Sequence, residues 1–235
     1  LFVVLASPLT SAAVLTVSPT TGAALPDSPA FDIGAVGGLD WALWKKVAAD
    51  PKDTPTNSKL NGTAISNLSA IGGGALTTSA NNPPNWDFSF SDGTSPAGGP
   101  LNDVNGVFNN SLSTNGAGIS FTVTLPTTDL YQISIWTAGY GMSGLLTASL
   151  PGASDSTGSF TADTGGIKDM FLFTINAQAD VAGQAVTVNV VNNSTSGATA
   201  NSHVIISAIA VQQIPEPTPL ALCSLGIFGF LRRRR

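Results

Sequence analysis

"GISFTVTLPTTDLYQISIWTAGYGMSGLLTASL", residues 118–150, is the stretch on which the fold turns. Ile119, Phe121, Val123 and Leu125 alternate with Ser120, Thr122 and Thr124, the two-residue period of a strand with one buried face. After the break at Pro126, Leu130, Gln132 and Ser134 alternate with Tyr131, Ile133 and Ile135. Residues 145–150, 170–175, 185–191 and 203–211 continue in β-forming residues, separated by Gly, Asn, Ser or Asp. Six such segments follow one another without a convincing helix. A parallel sheet would need helical crossovers, so the pattern predicts an all-β antiparallel β-sandwich.

Upstream, residues 31–36, 64–71 and 86–91 are candidate strands, and residues 39–49 read as a short helix or a strand entering a loop. Asp92-Gly93, Asn105-Gly106 and Asn115-Gly116 mark turns. "GYGMSG" at 139–144 satisfies G-x-G-x-x-G, but "LLTASL" follows it, where a dinucleotide site needs a helix N-terminus. The glycines instead predict positive φ in a hairpin joining 133–137 to 145–150.

Residues 14–214 have the length of one domain with a sizeable core. They hold 5 Lys, no Arg and 13 Asp, a net charge of −8, and all four arginines lie at 232–235. Such a surface repels phosphate backbones, so nucleic acid is excluded as a partner. The single cysteine, Cys223, falls outside this span, which leaves the domain without a disulfide. One histidine, His203, and no glutamate are present there. No Ser-His-Asp, Cys-His or zinc set can be built, and no aspartate spacing selects an acid/base pair, so the reading is not an enzyme.

Flat aromatic faces that stack on sugar C–H surfaces are the remaining chemistry. Trp41, Trp44, Trp136 and Tyr140 are the candidate glycan-binding residues, with Trp86 a further aromatic. The competing reading of each Trp is core packing. Trp136 has the best claim, because alternation places it opposite Ile135, on the polar face, unless both faces are covered. Asp92 and Asp103, with loop carbonyls, are candidates for a structural calcium; turn chemistry competes. No other cofactor is expected.

The chain ends in Pro215-Glu216-Pro217, an uncharged stretch at 218–231, and Arg232, Arg233, Arg234 and Arg235. As a helix the stretch spans roughly 20 Å against about 30 Å for a bilayer core. The arginines would favour a cytoplasmic end. This order resembles the PEP-CTERM sorting signal of Gram-negative bacteria. The resemblance implies a short transmembrane helix in the inner membrane, cleavage by an exosortase, and delivery to the cell surface or the extracellular polysaccharide of a biofilm matrix. The alternative is a permanently membrane-anchored surface protein. Residues 1–5 are apolar, Pro8 interrupts them, and Ser11-Ala12-Ala13 suits cleavage before Val14, so 1–13 reads as a truncated signal peptide, the alternative being a first strand. The expected organisation is thus 1–13 signal peptide, 14–214 exported sandwich, and 215–235 sorting signal.

"GLDWALWKK" (38–46), "FSFSDGTS" (88–95) and residues 118–154 are together similar in order and spacing to bacterial extracellular jelly-roll modules of the galactose-binding-domain-like type. The resemblance implies a jelly-roll sandwich. It departs at Leu43 and Lys45, beside the second Trp, and at Pro151. The reading that follows is a non-catalytic structural or adhesive surface protein, with a specific carbohydrate-binding module as the alternative.

Overall fold

The computed structural model describes residues 12–26, 30–45, 52–78, 86–94, 96–163, 169–194 and 200–215. Among them, the first half of the chain forms β1 (Val14–Ser18), β2 (Ala30–Asp32), the four-residue helix α1 (Ile33–Val36), β3 (Asp40–Leu43), β4 (Asn57–Ser58), β5 (Ser69–Ile71), β6 (Leu76–Thr78), β7 (Trp86–Phe90), β8 (Gly99–Val104) and β9 (Val107–Asn109). The second half forms β10 (Gly118–Thr124), β11 (Leu130–Tyr140), β12 (Met142–Ser149), β13 (Ser156–Ala162), β14 (Asp169–Gln178), β15 (Ala185–Asn192) and β16 (His203–Gln213).

These strands make an all-β antiparallel sandwich with an added layer. An eight-stranded sheet runs β1-β14-β11-β16-β3-β4, with β9 also on β16 and β6 on β9. A five-stranded sheet, β13-β12-β15-β10-β5, packs on its inner face. A three-stranded sheet, β2-β7-β8, covers its outer face. The one parallel pairing among the named strands is β2 with β7.

Alternation along β10 and β15 sends Ile119, Phe121, Val123, Val186, Val188 and Val190 into the main core. They meet Ile133, Ile135, Phe173, Ile175, Ile209 and Val211 of the larger sheet, the apolar burial that stabilises a two-layer sandwich. Two glycines let aromatic rings lie against backbone. A Cβ on Gly144 would stand 2.1 Å from the Phe160 ring, and one on Gly158 2.6 Å from Phe173.

The outer face is the surprise for a strand read by alternation. Trp136, Ala138, Ala208, Ala210, Trp41, Leu43 and Ile205 point away from the main core, yet they are buried against Ile33, Trp86, Phe88, Phe90 and Val104. Large and small side chains alternate across this face: Trp136 stands opposite Ala208, and Trp41 opposite Ala210. The register of β11 on β16 shifts between Trp136 and Thr137, and Thr137 Oγ1 donates to Ile205 O at 2.7 Å beside that bulge.

Other differences have local causes. Of 31–36 only the beginning is strand; Asp32 Oδ1 then accepts from Ala35 N at 3.2 Å and turns the chain into α1. Of 64–71 only β5 is a continuous strand; Ile65 makes an isolated bridge to Val123, and Ala64 N and Ile65 N donate to the Asp40 carboxylate. Of 39–49, β3 is strand, and 46–49 lie outside the described residues. Residues 139–144 do not form a hairpin. β11 and β12 belong to different sheets, so the chain crosses between layers there, and of these glycines only Gly141 has positive φ, 56°. Residues 1–11 of the expected signal peptide 1–13, and 216–235 with Glu216, Pro217, the expected C-terminal helix and Arg232–Arg235, lie outside the described residues. Among the described residues no helix is long and apolar enough to cross a membrane.

Trp136→Ala removes an indole buried between two layers. The change should cost about 3–5 kcal/mol in urea denaturation, whereas Tyr140→Ala, at a half-exposed strand end, should cost a small fraction of that.

Candidate functional site

The cover layer buries Ala138 and Ile205, and Tyr140 and His203 stand two residues further along the same face. They are register partners on β11 and β16. Phe108 of β9 pairs with Ile205 and completes a row. The Phe108 and His203 ring centroids are 4.3 Å apart with planes at 33°; those of Tyr140 and His203 are 6.0 Å apart at 24°. Phe108 and Tyr140 are half-buried, while His203 sits between them with Nδ1 held by Asn201 O at 2.5 Å. The loop beneath is fixed by Ser202 Oγ, which donates to Gly141 O at 2.5 Å. The result is three rings in series along one rim of the outer face.

Tyr140 is thus the one sequence-chosen aromatic that reaches this row. Trp41, Trp44 and Trp136 differ from the expectation of exposed platforms: they are 0%, 1% and 2% exposed, covered by other side chains in this structure. Trp41 and Trp136 are sealed by the cover layer and Trp44 lies in the main core. Trp86 is buried with them. Phe108 and His203 went unrecognised as partners because they are brought together by β9-β16 pairing across a long sequence separation, which leaves no local pattern.

Asp92 is engaged elsewhere. It accepts from Trp41 Nε1 at 2.8 Å and pairs with Lys59 Nζ. The Lys59 hydrogen bond, joined by that of Trp41, holds its carboxyl below the ordinary 3.8. The side chain of Asp103 is outside the description. Through its bonds to Trp41 and Lys59, Asp92 anchors the 91–94 turn over Trp41; among the described residues no group of three or more His, Cys, Asp or Glu side chains could hold a metal ion.

Three buried polar side chains organise the surrounding loops. Asp40 receives Ala64 N at 2.8 Å and Ile65 N at 2.9 Å through Oδ2, and Gly62 is required beside it, since a Cβ there would lie 1.9 Å from Oδ1. Burial pushes the Asp40 carboxyl above 3.8 despite these hydrogen bonds. Asn57 Oδ1 accepts from Ser58 N and Thr94 N, and its Nδ2 donates to Pro96 O. Asn109 Nδ2 faces Ile71 O, Gly73 O and Gly118 O at 2.8–3.0 Å, while its Oδ1 accepts from Ser111 N.

No protein-family model matches this sequence, and no curated protein matches it. Among solved structures, the chain is similar to TmCBM61 in complex with beta-1,4-galactotriose, at 16% identity and a TM-score of 0.38, over 63% of this chain and 87% of that one. It is also similar to the carbohydrate-binding module CBM36 in complex with calcium and xylotriose, at 12% identity and 0.32, over 62% and 94%. A third is CBM35 from Cellvibrio japonicus Abf62, at 15% identity and 0.28, over 63% and 100%. The β-sandwich itself is defined by the strand pairing above.

The two shifted carboxyls act on stability in opposite directions. Asp92, lowered, contributes stability that is present above pH 3.8 and lost as pH falls through its folded value. Asp40, raised, contributes stability that is present below 3.8 and lost as pH rises through its folded value. In pH-dependent denaturation, Asp92→Asn should flatten the acid-side loss of the parent protein. The difference between parent and Asp40→Asn should move in the variant's favour as pH rises through the window above 3.8.

Proposed function

We propose that this chain is an exported surface or extracellular-matrix protein whose sandwich binds a neutral polysaccharide without turning it over. Composition alone favours a structural or adhesive body. The aromatic row of Phe108, His203 and Tyr140 moves the reading to specific glycan binding, and it is the observation that carries the proposal. Half-buried Phe108 and Tyr140, held at the two ends of the row by stacking on buried His203, offer apolar ring surface to a sugar chain, at a net-acidic surface suited to a neutral ligand rather than an anionic one. A non-catalytic role follows from the chemistry of 14–214, which offers one histidine and no cysteine or glutamate.

Delivery is proposed from the tail alone. Pro215-Glu216-Pro217, the apolar stretch and Arg232–Arg235 would be read by an exosortase at the inner membrane and removed, releasing the sandwich to the surface or matrix.

A glycan array probed with the parent protein and with Tyr140→Ala and Phe108→Ala should show selective binding to a neutral polysaccharide that falls at least about tenfold in each variant, a loss of 1.4 kcal/mol or more. Uniform absence of binding by the folded parent returns the protein to a structural role. Intact-mass measurement of the surface-exposed form should find residues 232–235 absent; their persistence means a permanently anchored protein.

A further inference from the structure

Two of the four tryptophans have an indole N–H without a hydrogen-bond partner. Trp41 Nε1 reaches Asp92 and Trp44 Nε1 reaches Asp53 O at 3.3 Å, but Trp86 Nε1 and Trp136 Nε1 are fully buried with none. An orphaned buried donor is destabilising, and here two occur on indoles that share a neighbour. Both indoles pack on one residue: the ring of Phe31 is centred 5.5 Å from Trp86 and 5.5 Å from Trp136, with interplanar angles of 50° and 63°. Phe88 closes the floor, 5.9 Å from Phe31 and 5.5 Å from Trp136.

Phe31 is the least secured member of this group. It is half-buried, on a three-residue edge strand whose flanking residues Ala30 and Asp32 are exposed. Its pairing with β7 spans three residues, and the Ser89 Oγ contact to Phe31 O is long, 3.5 Å. The chain is anchored at the next two residues, by the Asp32 cap and fully buried Ile33. An edge residue packed on two indoles whose donors lack acceptors is the arrangement expected of a removable occupant.

We propose that Trp86 and Trp136 form a covered saccharide site, separate from the outer row, in which the six-membered ring of Phe31 fills the place of one neutral pyranose. A pyranose with equatorial hydroxyls carries axial C–H groups on both faces for the tilted indoles, and rim hydroxyls that accept the two N–H groups Phe31 leaves unmet. Displacement of Phe31 is an opening step, so binding to the parent protein is weakened by the fraction of molecules that are open. The site needs no metal and no titrating group.

The test is an NMR titration of the isotope-labelled full chain with methyl β-D-glucopyranoside, followed at the tryptophan indole N–H signals. The expected result is movement of the Trp86 and Trp136 signals while those of Trp41 and Trp44 stay, with Phe31→Ala binding at least about tenfold more tightly because the opening step is gone. Trp86→Phe with Trp136→Phe, which keeps the apolar walls and removes both donors, should abolish the gain. Tyr140→Ala should leave these shifts unchanged, so the failure of either site is distinguishable from failure of the other. If Phe31→Ala does not fold, Phe31→Leu carries the same comparison. A folded Phe31 variant whose Trp86 and Trp136 signals do not move, or a response shared equally by Trp41 and Trp44, overturns the proposal.

Discussion

Everything in this molecule depends on the eight-stranded sheet being covered on both faces. A two-layer sandwich with a solvated outer face would leave Trp136, Leu43 and Trp41 in water. The three-stranded layer removes them from it, and cross-strand pairing of each Trp with an alanine makes room for the second aromatic layer. Where that layer ends, the outer face does not revert to polar residues but to Phe108, His203 and Tyr140. The rim is aromatic because the sheet beneath it continues in the pattern of a buried surface beyond the point where burial stops.

The loops are held by a different physics. Asp40, Asn57 and Asn109 are buried, and each spends its oxygens or its amide on backbone groups of neighbouring segments: Asp40 on Ala64 and Ile65, Asn57 on Thr94 and Pro96, and Asn109 on Gly73 and on the ends of β5 and β10. Such side chains supply hydrogen-bond partners to the chain they hold. They also require small neighbours: Gly62 against Asp40, and Gly74, whose Cβ would lie 2.2 Å from Asn109 Oδ1. The abundance of Gly and Asn in this sequence, which in isolation suggests loose loops, here reflects tight clamps.

How far the sequence could be read follows from these two points. The strands β10, β11, β12, β14, β15 and β16 were legible because alternation is a local signal, and so was the sandwich they imply. β13 and the short strands β4, β6, β8 and β9 were not, since Ser, Thr, Gly and Pro dominate them or they are too short to show a period. Alternation gave the side that Trp136 faces, and its burial there matches the core-packing reading rather than the glycan-binding one, since alternation says nothing of what lies on that side. Tyr140 was found on residue type, whereas its neighbours in the row came only from strand pairing.

The order in which the strands are joined has a consequence for how the chain comes to be. β1 hydrogen-bonds to β14, β3 to β16, and β10 to β15, so each early segment finds its partner among the last strands made. A nascent chain stopped before residue 169 has nothing to close its first strand, and one stopped before 203 lacks the ribbon at the centre of the large sheet. Long-range closure of this kind is slow. Local pairs such as β7-β8 and β12-β13 can form early, but closure of the large sheet waits until nearly all of the chain has been made.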